Sequence, residues 1–261
     1  MKRLDFVPLL LLIPVVSFVA VQVLESPAIT ATSEAAVLEP VARTPKRSTG
    51  AKNRTNEASG AVNLPLAAPA RDLEDIRQRL REGMPGTYLG EVLAGRDSAL
   101  ARWPERISRP VRVWVGSGQR LPGWKPEFES RVRSAFEEWA RLGIPVHFTF
   151  VVDSAAADVH VTWVSAFEEP ISGKTLWARD KHWWIVKAGI TLALHHNGGE
   201  ALDSRAIKAI ALHEIGHMLG LDHTADTANI MTARVRVREL SEADRATIRL
   251  LYSLPPGSVK G

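Results

Sequence analysis

His213-Glu214-Ile215-Gly216-His217-Met218-Leu219-Gly220-Leu221-Asp222-His223-Thr224 is the stretch on which the reading of this chain turns. It ends a run (Ile207, Ile210, Ala211, Leu212, Ile215, Met218, Leu219) whose apolar spacing predicts a helix, capped by Asp203 or Ser204 and stopped by Gly220. Residues four apart share one helix face about one turn apart, so the imidazoles of His213 and His217 can meet one zinc ion. Glu214 is offset around the helix, where its carboxylate reaches a water at such an ion and serves as a base without becoming a ligand.

A lone pair of this kind is often no more than two surface histidines on an amphipathic helix. Gly220 and His223 extend it to HExxHxxGxxH, which lowers chance matches by roughly several hundredfold at ordinary residue frequencies. Gly220 can take the left-handed conformation that ends a helix sharply, and the chain then turns back to deliver His223 as a third ligand. Three histidines leave a fourth position open, the arrangement of a catalytic zinc and not of a structural one.

This stretch resembles the zinc signature of the metzincin clan, and within it the matrixin (matrix metalloprotease-like) catalytic domain; Thr224 is similar to the Ser or Thr that matrixins carry after the third histidine. Met231, in Asn229-Ile230-Met231-Thr232, resembles the methionine of the Met-turn beneath the zinc, and the chain has only four methionines. Leu240-Ser241, Asp244, Ile248 and Leu251-Tyr252 resemble the closing matrixin helix. Phe136-Glu137-Glu138-Trp139 and Ala157-Asp158-Val159 are similar to its first helix and third strand, so the likeness runs from about Pro110 to Tyr252. The resemblance implies an α+β, zincin-like fold: a twisted mixed sheet with about three helices, one of them the catalytic helix, and a Met-turn. It also implies His213, His217 and His223 on one catalytic zinc, with Glu214 as the base.

The departures from the family are equally legible. With no cysteine in the chain, a cysteine switch cannot operate, and latency would need another ligand such as Asp72, Asp75 or Asp97. His147, His160, His182, His195 and His196 lack the spacing of a structural zinc site, and calcium has no support beyond Asp158 as a weak candidate. After Met231 the chain reads Thr232-Ala233-Arg234-Val235, without the Pro and Tyr that wall the family's specificity pocket. Arg234, Arg236 and Arg238 alternate with valines and read first as a solvated face, with a subsite for acidic substrates as the sharper alternative.

The rest of the chain sets limits. Its 261 residues suit one core with accessory segments, and 45% hydrophobic and 24% charged residues exclude a wholly disordered or polytopic membrane protein. The net charge is +4, and residues 105–255 are nearly balanced, so no nucleic-acid partner is expected. Without cysteine, disulfide scaffolds and thiol catalysis are also excluded.

After Lys2 and Arg3, residues 6–24 run without a charge, as in a signal peptide or membrane anchor spanning residues 1–24. The basic end predicts that the remainder is extracytoplasmic, membrane-anchored if the segment stays uncleaved and secreted if it is removed. Residues 25–70, without aromatics, read as a disordered linker, and 71–104 as a helical N-terminal or pro-like segment. Within that segment helices are predicted from Arg71 to Glu82 and from about Gly90 to Trp103. The catalytic domain is placed at 105–255, with strands at 111–115, 146–152, 158–164 and 183–194, a helix at 126–142, and a tail at 256–261. All eight tryptophans lie between Trp103 and Trp184, most simply as core and edge packing.

The expected activity is zinc-dependent endopeptidase action on protein or peptide substrates lying extended along the edge strand Gly173 to Arg179. A non-catalytic metal-binding or adhesion domain is the alternative, against which the intact Glu214 argues, and a zinc hydrolase of non-peptide substrates is a third.

Overall fold

The computed structural model describes residues 21–23 and 71–260. Most of the uncharged N-terminal stretch and the whole of the 25–70 linker lie outside the described residues. Among those described, no helix is long and apolar enough to cross a membrane.

In chain order the elements are β1 (Val21–Val23), α1 (Leu73–Gly83), α2 (Leu89–Gly95), β2 (Ala99–Leu100), β3 (Arg106–Val115), α3 (Glu127–Ala140) and β4 (Val146–Phe150). They continue with β5 (Val159–Val164), β6 (Gly173–Arg179), β7 (Ile185–Ala193), α4 (Ser204–Leu219), α5 (Glu242–Ser253) and β8 (Gly257–Ser258). The main sheet runs β1-β6-β7-β5-β3-β4. Strands β4, β3, β5 and β7 are mutually parallel, whereas β6 runs antiparallel to β7. On its outer side β6 meets β1 only at Trp177–Arg179. Its other half, beginning at Gly173, is an open edge among the described residues.

Helix α3 forms because Phe128, Val132, Ala135, Phe136 and Trp139 fall on one face, and that face is buried. Helix α4 is different: from Ala209 to Leu219 every residue is buried, as suits a helix enclosed in a core instead of lying on it. Alternation holds in β5, where Val159 and Val161 are fully buried while His160 and Thr162 face outward. The fold is thus mixed α+β, with three helices within residues 105–255 and two more before them.

Residues 71–104 are part of the same core: Ile76, Leu80, Tyr88, Leu89, Val92, Leu100 and Trp103 are all buried in it. Two details differ from the sequence reading. The second helix stops at Gly95, and the chain reverses through Asp97 (φ 51°) and Ser98 (φ 59°) into β2. The terminal residues are tied down, because β8 pairs antiparallel with β2 and Val259 donates its N–H to the Ser98 carbonyl.

Candidate active site

Helix α4 is capped by Asp203, whose carboxylate accepts the Ala206 N–H at 2.7 Å. It ends in a Schellman turn: Leu221 N–H bonds the Gly216 carbonyl and Gly220 N–H that of His217. Gly220 sits at φ +107°, and a Cβ there would fall 2.1 Å from the Ala101 carbonyl oxygen, so only glycine serves on both counts. Orphan carbonyls at the helix end are taken up by buried aromatics. Trp103 Nε1 donates to Met218 O at 2.9 Å and the Tyr252 hydroxyl to Leu219 O at 3.0 Å. Trp139 Nε1 adds a bond to Leu212 O at 3.0 Å.

The three histidines of the motif converge. The Nε2 atoms of His213, His217 and His223 lie 3.1, 3.1 and 3.3 Å apart, and among the described residues they are the group placed to hold a metal. Two of the rings are locked from behind. His213 Nδ1 donates to the Ile230 carbonyl at 2.8 Å and His217 Nδ1 to the Leu221 carbonyl at 3.1 Å. A carbonyl only accepts, so these rings carry their proton on Nδ1 and turn bare Nε2 lone pairs toward each other. Lone pairs at that distance repel unless a cation lies between them. Zinc–nitrogen bonds of ~2.0–2.1 Å in tetrahedral array would space the nitrogens by about 3.3 Å, so the residues fit a zinc ion. Burial lowers all three imidazoles, His213 to about 4 and His217 well below its ordinary value, so they remain neutral near pH 7, as ligands must.

The Met-turn lies directly beneath. Met231 is fully buried, and a Cβ on Gly216 would fall 2.3 Å from its sulfur, so helix and methionine touch only because residue 216 has no side chain. Asp244 of α5 accepts the Ile230 N–H at 2.9 Å and the Tyr88 hydroxyl at 2.8 Å. Ile230, whose carbonyl orients His213, is therefore itself held through its N–H by a carboxylate that Tyr88 fixes in turn. Asp244 also completes a capping box with Ser241.

Glu214 is buried beside the histidines. Thr175, on the inward face of β6, donates to Glu214 Oε2 at 2.6 Å and lies 3.0 Å from its backbone carbonyl. Burial drives this carboxyl up to about 7, against the opposing pull of the Thr175 hydroxyl. The other oxygen, Oε1, faces Gly173, where a Cβ would approach to 2.3 Å. Sequence reasoning identified the edge strand but not Thr175; the available signal was a lone hydroxyl at an inward-facing position.

A cavity of about 880 Å³ opens beside His213 and Glu214, walled by Leu202, Ala206 and Ile210 of the α4 region, by Ile171 to Gly173, and by Ala233 to Arg238. Arg234, Arg236 and Arg238 are exposed at its border, whereas Val235 and Val237 are half-buried. The other residues singled out from the sequence lie elsewhere or have other partners. His196 lines the cavity and bonds Ser172 through Nδ1 at 3.0 Å. Asp158 accepts a backbone N–H and two guanidinium bonds from Arg112. Asp72 caps α1, Asp75 pairs with Arg79, and Asp97 pairs with Lys260; none of the three joins the histidines.

A helix-borne histidine pair, a left-handed turn to a third histidine and a buried methionine beneath them define a metzincin-type domain. Residues 122–253, about half of the chain, match the matrixin family, and the chain belongs to that family. It is similar to Metalloendoproteinase 1 of Glycine max, at 25% identity over 177 residues covering 56% of this chain and 54% of that one. The chain thus spans about half the length of that relative. Among solved structures it is similar to myroilysin, with 14% identity, a TM-score of 0.40, and 58% of this chain and 86% of that one covered.

Proposed function

We propose that this protein is a zinc-dependent endopeptidase acting outside the cytoplasm. The observation that carries the reading is the convergence of three neutral Nε2 atoms beside a buried carboxylate at the mouth of a cavity. Membership of the matrixin family supports it. His213, His217 and His223 would hold a zinc ion, which would supply Lewis acidity for acidifying water and polarising a peptide carbonyl.

The chain's own residues do the rest. Glu214 takes the proton of the attacking water and returns it to the departing amine. Thr175 holds Oε2, which leaves Oε1 as the oxygen free to carry that proton. The substrate lies extended along the open half of β6, where backbone pairing binds it without regard to side chain. The cavity takes one substrate side chain: its apolar walls suit a long aliphatic stem, and the arginine border favours an acidic end. The uncharged N-terminal stretch behind Lys2 and Arg3 supports a membrane anchor or secretion signal, with residues 25–70 as the tether.

The direct test is Glu214→Gln in the full chain, assayed on an unstructured protein. The variant is expected to bind zinc like the wild type while cleavage falls by about 10²–10⁴-fold. Cleavage at the wild-type rate would remove Glu214 from the mechanism. A wild type that binds zinc and cleaves nothing would favour the non-catalytic binding domain.

A further inference from the structure

His213 and His217 stand on a helix, but His223 comes from a turn, and a turn needs an outside support to hold a ligand to a fraction of an ångström. That support comes from residues 88–96, which precede the segment that matches the family. Arg96, at the end of α2, has a side chain only 7% exposed. Its Nη1 donates to the Gly220 carbonyl and its Nη2 to the Leu221 carbonyl, the latter at 2.7 Å. Its Nε lies 3.5 Å from Asp222 Oδ2, and the ring of Trp177 is 5.3 Å away.

Two of these acceptors lead to a ligand. The Leu221 carbonyl is the one that holds His217 Nδ1. Asp222, through Oδ1, accepts the His223 N–H at 2.8 Å. On the far side of His223, Glu91 of the same helix accepts the Thr224 hydroxyl at 3.0 Å and the Ala225 N–H at 2.7 Å. One short helix therefore grips the chain both before and after the third histidine. Burying a guanidinium here is costly unless its directed bonds are needed, and only the planar fork of arginine spans two successive carbonyls and a carboxylate.

We propose that Arg96, seconded by Glu91, is a positioning residue for the three-histidine site, and that α2 is a permanent working part of the metal centre. The inference rests on the zinc reading above. It implies that residues 71–104 cannot be removed as a pro-piece without loosening the site, because the third ligand would lose both its anchors.

The test compares zinc affinity, by competition with a chromophoric chelator, in the full chain and in Arg96→Ala, Arg96→Lys, Glu91→Gln and Arg102→Ala. Arg102 is the control: it too bonds backbone carbonyls, those of Leu254 and Trp103, between the rings of Trp184 and Tyr252, but its guanidinium bonds go to none of residues 220–225. Cobalt(II) substitution gives a second readout, since its visible spectrum reports ligand geometry independently of cleavage. Arg96→Ala is expected to weaken zinc binding by about 10–100-fold and to change the cobalt spectrum. Arg96→Lys should restore little of this, and Glu91→Gln should give a smaller loss. Arg102→Ala should lower the unfolding temperature with zinc affinity within about twofold of wild type.

Wild-type zinc affinity and an unchanged cobalt spectrum in Arg96→Ala would overturn the proposal. So would an equal loss of affinity in Arg102→Ala, which would reduce the effect to general destabilisation. If Arg96→Ala fails to fold, Arg96→Lys and Glu91→Gln decide, and wild-type affinity in both overturns the proposal. A wild type without zinc at the histidines overturns the zinc reading itself, and the wild-type arm separates that failure from a failure of the brace.

Discussion

The turn that ends α4 and the loop that follows Met231 lie against the same site and are built in opposite ways. In the turn, Gly220 to His223 are fixed by a Schellman motif, by Arg96 and by the capped backbone of His223. In the loop, Ala233 to Glu239 form neither helix nor strand, and Arg234, Arg236 and Arg238 stand exposed. Among the described residues Arg234 and Arg236 enter no salt bridge. The difference separates two tasks. On the function proposed above, the groups that would meet one ion are over-determined, whereas those that would greet a substrate side chain are left free to vary without disturbing the ion.

Substitutions can break that contrast, and the largest effect belongs to the ligands. His217→Ala is expected to abolish both zinc retention and cleavage, read as metal content and hydrolysis of an unstructured protein. Chelation of the wild type should produce the same loss reversibly, which a change of fold would not. Gly220→Ala comes next: the backbone must leave φ +107° or collide with Ala101. We expect a loss of about 1–3 kcal/mol in urea unfolding, accompanied by weaker zinc binding because His223 follows the turn.

Gly173→Ala sharpens the comparison from the other side of the cleft. The atoms a Cβ there would meet first, Oε1 among them, all belong to Glu214. Cleavage should fall by up to about 10²-fold, as for a catalytic group displaced by about an ångström, with zinc affinity within about twofold of wild type. The smallest effect lies in the loop. Reversing Arg234 and Arg236 to glutamate should lower kcat/KM for peptides with an acidic side chain in the cavity by about three- to tenfold, less at high salt, with aliphatic peptides little changed. Equal losses on both peptide sets would mean that the loop belongs to the fixed machinery after all.

What the sequence made legible follows the same division between local and distant causes. Helix α4, its cap at Asp203 or Ser204, its Gly220 stop and the full extent of β6 are all written in residues within a turn or two of one another. The end of α2 was not legible. Ala99-Leu100-Ala101 is apolar at any period, and its strand partner Gly257–Ser258 lies far along the chain. Strand β3 begins at Arg106, before Pro110, because a register shift between Arg106 and Val111 accommodates a residue that cannot donate a ladder bond. Thr175, Glu91 and Arg96 matter only through what they touch. No spacing rule connects Arg96 with Gly220, or Thr175 with Glu214, until the fold has brought them together.

The central claim is that three histidines and one buried carboxylate make a zinc peptidase, and one measurement bears on it most directly. Zinc content and cleavage of an unstructured protein are followed for the full chain as isolated, after chelation, and after zinc is returned. The account predicts about one zinc per chain, cleavage that disappears with the metal, and recovery on add-back. Cleavage that survives complete removal of zinc, or a chain that binds zinc fully and cleaves no peptide bond, would contradict it.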